Sequence, residues 1–355
     1  MKNPIQPEQK EITEVKSASP YSPLPPVQVL KTKTMKTQHK QNILAVALVG
    51  ALAFTSVLHA EEAGSGHYLP GATASFIDAL PGKEAFAYVN AFTYYNGSAG
   101  GSRELNLGGQ VVANVDGTVY ADTSFLLYQT PWKIFGGGYA AAVAIPYMWM
   151  EVKGNVQIGP VTGNRRDTAD GIGDIELLPL MLGWTNGDLK FGGTLGIYAP
   201  TGEYEQGHLA NVGKNYWTFE PGVSVSWLSS KIGTEVSLFA GFDASTKNNE
   251  TDYQSGDVFH LDATVAQHLP LLGGFVGVGA NAFYYQQITG DRGSGARLGD
   301  FEGRTIGIGP VLSYATKIGK SKTTDLVAEL KWLPELDVEK RLKGDTIWFK
   351  LALVF

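Results

Sequence analysis

From about residue 84 to the C-terminus, hydrophobic and polar positions alternate along the chain. In 216–227, for example, one face carries aromatic and aliphatic side chains, while the other carries Glu220 and small polar residues. A period of two places successive side chains on opposite faces of a β-strand. Twelve segments share this pattern: 84–95, 118–130, 138–151, 172–184, 188–200, 216–227, 232–244, 256–268, 274–286, 304–316, 322–333 and 345–355.

The length and number of these segments fit a barrel that crosses a membrane. Transmembrane strands need about 9–11 residues each, and single-chain bacterial barrels have even numbers of strands. No window after Ala60 shows apolar residues at helical spacing. The sequence therefore predicts an all-β fold, a transmembrane antiparallel β-barrel of about 12 strands spanning 84–355.

The connections between the predicted strands alternate strictly in length. Short connections fall at 131–137, 185–187, 228–231, 269–273 and 317–321. Long polar connections fall at 96–117, 152–171, 201–215, 245–255, 287–303 and 334–344. Short periplasmic turns and long external loops are typical of outer-membrane barrels, whereas a soluble sandwich has no reason to place every long loop at one end.

The final segment has a role in closing the barrel. Ile347–Phe355 has an apolar face and ends the given sequence on an aromatic ring, which is the pattern of a barrel's closing and assembly signal. Open sheet edges are not tolerated in lipid, so this strand is expected to pair with 84–95. Phe355 is the candidate signal for the barrel-assembly machinery.

Charged residues lie on one face of several strands and are predicted to point into the lumen. A Lys or Arg facing lipid at mid-membrane costs about 2–4 kcal/mol. The inward candidates are Glu176, Lys190, Glu220, Glu235, His260, Asp262, Asp325, Glu329, Lys331 and Lys350. Such residues could line a wet passage, or they could neutralise one another and block it.

The N-terminus precedes the barrel with three different segments. Residues 35–60 have a basic start and an apolar stretch, typical of a signal peptide cleaved near Ala60. The apolar stretch is shorter than the roughly 20 residues of a spanning helix. Residues 1–34 are an extra segment, explained by a mis-assigned start codon with Met35 as the true start, or by an extended signal peptide. Residues 61–83 are either a plug inside the barrel or a tail in the periplasm.

Composition excludes several other functions. The net charge is -6 and no basic stripe is present, so nucleic acid is not an expected partner. The chain has no Cys, which excludes disulfides. No cofactor is expected, because the Gly-rich run 273–279 lies inside a predicted strand rather than opening a helix.

Catalysis and metal binding are not expected from the histidines. No histidine lies beside a serine on the same strand face, as a hydrolase would need, so we expect no enzymatic activity. His260 and His268 share an inward face with Asp262, but eight residues of strand separate the two histidines by about 26 Å. These two side chains cannot share a metal ion.

Several short motifs occur in a characteristic order. They are Gly171-Ile-Gly-Asp-Ile-Glu-Leu177, Ala199-Pro-Thr-Gly-Glu-Tyr204, Asn211-Val-Gly-Lys-Asn-Tyr-Trp217, Thr251-Asp-Tyr-Gln-Ser-Gly256 and Gly307-Ile-Gly-Pro310. Together they resemble the outer-membrane barrel family associated with the phenol meta-cleavage degradation pathway. The resemblance extends from about His67 to the C-terminus. It implies an outer-membrane barrel that takes up hydrophobic or aromatic compounds.

Some motif residues are expected at the mouth of the barrel, where strands meet external loops. These candidates are Asp174, Thr201, Tyr204, Asp252 and Tyr253. They could contact a solute, or they could shape bulges and cap turns at the rim. The pattern alone favours the structural role.

The sequence thus predicts a passive channel or transporter for small hydrophobic or aromatic compounds in the outer membrane of a Gram-negative-type bacterium. Its expected partners are outer-membrane lipid, the barrel-assembly machinery and a small solute. The alternative is a structural or adhesive barrel whose external loops bind a surface partner while the lumen is blocked.

Overall fold

A computed structural model describes residues 66–158, 161–299 and 301–355. The extra segment 1–34, the signal peptide 35–60 and the first residues of 61–83 lie outside the described residues. Within the described ranges, no helix is both long and apolar enough to cross a membrane.

The described residues form one antiparallel sheet. Its strands are β1 (Ala85–Leu107), β2 (Gln110–Ile134), β3 (Gly137–Ile158), β4 (Val161–Ile172), β5 (Ile175–Asn186), β6 (Leu189–Ala199), β7 (Thr218–Leu228), β8 (Thr234–Ser245), β9 (Val258–Leu271), β10 (Gly274–Gln287), β11 (Arg304–Ile318), β12 (Thr324–Glu339) and β13 (Lys343–Val354). Each strand pairs with its sequence neighbour, except that β5 pairs with β3 rather than with β4.

The sheet closes into a barrel of twelve strand positions. β1 pairs with both β2 and β13, so no edge remains there. β4 and β5 lie in line along β3, with β4 against Tyr147–Ile158 and β5 against Gly138–Ala144. They act as one strand interrupted at Gly173 and Asp174. The prediction of an antiparallel 12-stranded transmembrane barrel is therefore confirmed.

The last strand makes the predicted closure. Residues of β13 pair with β1 from Ala87↔Val354 through Phe92↔Phe349 to Ser98↔Lys343. The Phe355 backbone N–H also donates to the Phe86 carbonyl oxygen at 2.9 Å. The C-terminus therefore lies beside the start of β1, at the end of the barrel that carries the short connections, which we call the turn end. The opposite end is the loop end.

Three of the long connections predicted as loops are instead strands. β1 and β2 continue past the barrel wall as a hairpin that turns at Gly108 and Gly109, both with positive φ. β3 and β4 form a second hairpin, and β12 and β13 shorten the expected loop 334–344 to Lys340–Leu342. The prediction was wrong there because it required an uninterrupted alternation. The hairpins carry buried apolar residues such as Leu105 and Val112, but register shifts at Ala99/Glu104 and Ala113/Asp116 interrupt the period.

The two faces of the wall have the expected polarity. In β7, Val223 on the outer face is 64% exposed, whereas Glu220 on the inner face is 6% exposed. Lys331 of β12 is 0% exposed although its side chain is long and charged. In these two strands the apolar face therefore contacts lipid, and the charged face points into the barrel.

Candidate functional site

One side of the lumen is apolar. It is formed by the inward residues of β1, β2 and β3, and we call it the apolar wall. Its side chains are Ala87, Val89, Ala91, Val119, Ala121, Phe125, Leu127, Ala144, Met148 and Met150. The outward faces of the same strands are mixed, because Tyr120, Leu126 and Trp149 are exposed there but Asn90 also donates a hydrogen bond to Asp122 on the outer face. These strands therefore show little alternation of polarity, and the sequence did not reveal an apolar lumen on this side.

The side of the lumen formed by β7 to β9, β12 and β13 is charged, and we call it the charged wall. Its members are Glu220, Glu235, Asp243, His260, Asp262, His268, Glu329, Lys331 and Lys350, all of them buried. Buried charges are tolerated when they are paired or hydrogen-bonded. Several of these groups have their partners in a segment that is not part of the barrel wall.

That segment is 66–83, which we call the inner segment. It runs along the charged wall and includes one 3-10 turn, Phe76–Asp78. Near the turn end, the Gly82 N–H donates to Gln129 Oε1 at 3.2 Å. Near the loop end, the His67 ring lies 2.9 Å from Asp174 Oδ2 and 2.7 Å from Thr218 Oγ1. The inner segment thus extends through most of the height of the barrel.

Asp262 is the main attachment point of the inner segment. Its carboxylate accepts hydrogen bonds from the Tyr68 hydroxyl at 2.5 Å, the Thr73 N–H at 3.1 Å and the Gly71 N–H at 3.2 Å. The Tyr68 ring also stacks on His260, with ring centroids 3.6 Å apart. Charge-assisted hydrogen bonds of this kind are the stronger ones in proteins, so this contact should dominate the attachment.

Lysines of β12 and β13 also hold the inner segment. Lys331 Nζ donates to the carbonyl oxygens of Thr73 at 3.0 Å and Gly71 at 3.2 Å. It also lies 3.3 Å from Glu329 Oε1, so its charge is balanced. Lys350 Nζ lies 2.9 Å from Asp78 Oδ1.

Glu235 and His268 fix the middle of the inner segment. Glu235 Oε1 accepts from the Phe76 N–H at 2.7 Å, and Glu235 Oε2 lies 2.7 Å from His268 Nε2. The Phe76 ring packs edge-on against the His268 ring. The two inward residues therefore position the 3-10 turn within the lumen.

A cavity of about 1190 Å³ occupies the space that the inner segment leaves. Its lining includes Lys322 at the turn end and Leu209 at the loop end. Between them it follows the apolar wall, and Glu176, Lys190 and Glu220 line its other side. The lumen thus combines an occupied charged side with an open apolar side.

An apolar cluster lies at the loop end. It joins the β1–β2 and β3–β4 hairpins to the loops after β6 and β10, through Ala99, Leu105, Val112, Val115, Val152, Val156, Leu209, Ala210 and Phe301. Leu105, Val115 and Leu209 also line the cavity. The loop after β6 is fastened there, because the Gly207 carbonyl oxygen accepts from Gln110 Nε2 and Arg165 Nη1. We call this group the loop-end cluster.

The structure separates the five residues expected at the mouth. Asp174 is buried between β4 and β5, where its carboxylate accepts from the Gly202 and Lys214 N–H groups at 2.9 and 2.7 Å. Thr201 accepts from the Ile175 N–H at 2.9 Å and shapes the same bend. Tyr204 lines the cavity. Asp174 and Thr201 thus have structural contacts, and Asp174 also lines the cavity.

The other two mouth candidates lie away from the cavity, in the loop between β8 and β9. Asp252 forms an ion pair with Lys247 at 2.8 Å and accepts from the Ser294 hydroxyl at 2.7 Å. The Tyr253 hydroxyl donates to Asp291. Neither residue is among those lining the cavity. Both connect the β8–β9 and β10–β11 loops to each other.

A second group of polar residues meets near the loop end of the charged wall. Glu220, Asp243 and His260 lie on the neighbouring strands β7, β8 and β9, and one ligand atom from each falls within 4.8 Å of the others. Tyr198 of β6 donates to Glu220 Oε2 at 2.9 Å. Asp243 was not among the sequence candidates, although its place after the inward Gly241 could have identified it as inward.

The remaining sequence candidates also face the lumen or its ends. Glu176 lines the cavity beside Glu220, since a Cβ built on Gly196 would lie 3.0 Å from Glu176 Oε1 and 3.4 Å from Glu220 Cβ. Lys190 lines the cavity near the turn end. Asp325 pairs with Lys317 there at 2.5 Å, in an exposed position.

The family model described as "Putative MetA-pathway of phenol degradation" matches residues 101–351. The chain belongs to this family. The match covers every strand from β2 to β12 and most of β13, so the family assignment applies to the barrel itself. It confirms the resemblance seen in the motifs. Among the curated proteins, none matches this chain.

Solved structures show the same fold. The COG4313 outer membrane channel from Pseudomonas putida F1 aligns with a TM-score of 0.53 at 15% identity, covering 81% of this chain and all of that one. The β domain of the Bordetella autotransporter BrkA aligns with a TM-score of 0.42 at 12% identity, covering 77% of this chain and 99% of that one. At that score the second similarity supports no argument. The first shows that the family member has the fold of an outer-membrane channel.

Proposed function

We propose that this family member is a passive channel of the outer membrane that admits small hydrophobic or aromatic compounds. The observation that carries the proposal is the cavity of about 1190 Å³ along the apolar wall. Ligand sites for such compounds are mostly apolar, with few polar groups. A cavity of this size accommodates a single-ring aromatic with room to move.

The inner segment sets the width of this path. Its contacts with Asp262, Lys331 and Lys350 hold it on the charged wall, so these three side chains are paired with the inner segment. A neutral apolar solute meets alanine, valine and methionine side chains along the apolar wall. We propose on this basis that 61–83 is a plug that narrows the lumen and favours apolar solutes.

The loop-end cluster is the proposed entrance. Leu105, Val115 and Leu209 form an apolar surface continuous with the apolar wall. A hydrophobic compound can dissolve between such side chains, whereas water and ions are excluded. Transport is then facilitated diffusion, which needs no cofactor and no catalytic group.

Growth of a deletion strain tests this function in the cell. The strain lacking the gene is compared with the parent on a panel of aromatic and aliphatic carbon sources at low concentration. We expect slower growth on one class of hydrophobic substrate, restored by the wild-type gene and not by the Ala121→Asp variant, which places a charge on the apolar wall. Ala121→Leu, which adds bulk without charge, is the matched control. Equal growth on every substrate would contradict the proposal.

A further inference from the structure

Three buried ligand groups from three adjacent strands converge near the loop end of the charged wall. His260 Nε2 lies 3.4 Å from Asp243 Oδ1 and 3.7 Å from Glu220 Oε1. All three side chains are buried, since His260 is 0% exposed, Asp243 1% and Glu220 6%. Along a single strand His260 and His268 are too far apart to share an ion, whereas side chains on neighbouring strands are much closer together.

The charges in this group are not balanced by the protein. Two carboxyl groups face one imidazole, so when both are ionised even a protonated His260 leaves one negative charge. Among the described residues, neither carboxylate oxygen of Asp243 accepts a hydrogen bond. A buried carboxylate without a partner is costly, and a bound cation is one of the ways in which proteins offset that cost.

The spacing suits a small divalent cation. Zinc binds histidine nitrogen and carboxylate oxygen at about 2.0–2.2 Å in tetrahedral geometry, which places neighbouring ligand atoms roughly 3.3–3.6 Å apart. The distances from His260 to Asp243 and Glu220 are 3.4 and 3.7 Å. The third distance, between a carboxylate oxygen of Glu220 and one of Asp243, is within 4.8 Å. Small side-chain rotations would complete the site.

The surroundings hold the ligands in place. Tyr198 binds Glu220 Oε2, so Oε1 is the oxygen that faces His260. The Tyr68 ring covers one face of the imidazole at 3.6 Å. Gly241 leaves room for the ring, because a Cβ there would lie 2.4 Å from His260 Nε2. Such supporting contacts commonly accompany metal ligands and fix their orientation.

We infer that Glu220, Asp243 and His260 bind a divalent transition-metal ion of the zinc type inside the barrel. Water or a solute donor atom occupies the remaining coordination position. Because Tyr68 stacks on the metal-bound imidazole, the ion also stiffens the attachment of the inner segment at this point.

The test uses the full mature barrel in detergent, with any affinity tag removed and after treatment with EDTA. Calorimetric titration with Zn²⁺ is expected to give one ion per barrel, and Co²⁺ is expected to give visible absorption bands that Zn²⁺ removes. Asp243→Asn and His260→Gln should each weaken binding at least tenfold. His208→Gln is the matched control, because His208 lies in an exposed loop and its side chain is 44% exposed. The heat-dependent mobility shift of folded barrels in gels shows that each variant is folded.

Two further measurements test the site even if Asp243→Asn or His260→Gln fails to fold. Gly241→Ala keeps all three ligand side chains but displaces the imidazole, and it should also weaken Zn²⁺ binding. X-ray absorption of the zinc-loaded wild type should show one imidazole among oxygen ligands. A folded wild-type barrel that binds neither ion, a coordination shell without imidazole, or unchanged binding in folded Asp243→Asn and His260→Gln would overturn the inference.

Discussion

The Tyr68 hydroxyl donates a hydrogen bond to Asp262 Oδ2 at 2.5 Å, joining the inner segment to β9 inside the lumen. The same carboxylate accepts from the backbone N–H groups of Gly71 and Thr73 and from the Thr73 hydroxyl. One side chain thus receives four donors from the inner segment. Its removal should affect the inner segment more than the barrel, whose strands pair with each other independently of it.

Asp262→Asn is expected to loosen the inner segment. An amide offers one acceptor oxygen in place of two charged ones, and each hydrogen bond to a charged group contributes about 1.5–3 kcal/mol. We expect protease to cleave the inner segment at least tenfold faster and the conductance in planar bilayers to rise, while the barrel stays folded. Asp116→Asn, at an exposed position of β2, serves as the control. Unchanged cleavage and conductance in Asp262→Asn would show that other contacts hold the inner segment.

Phe355→Asp is expected to impair assembly. The Phe355 side chain is 59% exposed and its ring lies 6.4 Å from the Phe86 ring, so the substitution disturbs little inside the barrel. The expected effect is several-fold less folded protein in the outer membrane, measured by quantitative blotting of membrane fractions. Phe355→Trp should retain near-normal levels because it keeps an aromatic end. Normal levels of Phe355→Asp would argue against a terminal assembly signal.

Val223→Lys is expected to destabilise the barrel in lipid. Val223 lies in the middle of β7 on the outer face and is 64% exposed, so a lysine there points into the hydrocarbon. The expected cost is about 2–4 kcal/mol in the free energy of unfolding, measured by denaturant titration in liposomes. Ile232→Lys is the matched control, since Ile232 is 63% exposed but lies in the β7–β8 turn, where the cost is about 0–1 kcal/mol. Equal costs at the two sites would contradict the assigned membrane position.

The ion pair in the β8–β9 loop should depend on pH. Hydrogen bonds from Lys247 and Ser294 hold the pKa of Asp252 well below its ordinary value. The contribution of this contact to loop order is therefore present above the unfolded-state pKa, roughly 3.9, and is lost as the pH falls through the lower folded-state pKa. Lys247→Gln should raise the pKa of Asp252, as measured by a ¹³C NMR titration of the carboxyl group. An unchanged pKa in that variant would mean that the Ser294 contacts alone account for the shift.

The barrel could be predicted from sequence because its strands obey a simple period. In β7 and β12 every second residue is apolar, and the charged residues between them can only point inward in lipid. The period also located the terminal strand and its pairing with β1. The hairpins beyond the membrane were missed because register shifts, such as those at Ala99/Glu104 and Ala113/Asp116, interrupt the period of two.

The interior of the lumen was harder to predict. In β2 the inward Val119, Ala121 and Leu127 are apolar, whereas the outward face mixes Tyr120 and Leu126 with Asp122 and Ser124, so polarity does not identify the inner face. The contact between Tyr68 and Asp262 joins residues 194 positions apart, and strand periodicity carries no information about it. Glu220, Asp243 and His260 meet only because β7, β8 and β9 are in a particular register.

The central claim is that apolar solutes cross the lumen along the apolar wall. The most direct measurement is the initial rate of uptake of a radiolabelled single-ring aromatic compound into vesicles whose outer leaflet contains lipopolysaccharide, since plain phospholipid lets such compounds through. The account predicts uptake several-fold faster with wild-type barrels than in empty vesicles, and a loss of most of that increase with Ala121→Asp but not with Asp116→Asn. Uptake no faster than in empty vesicles, with the barrel folded, would contradict it.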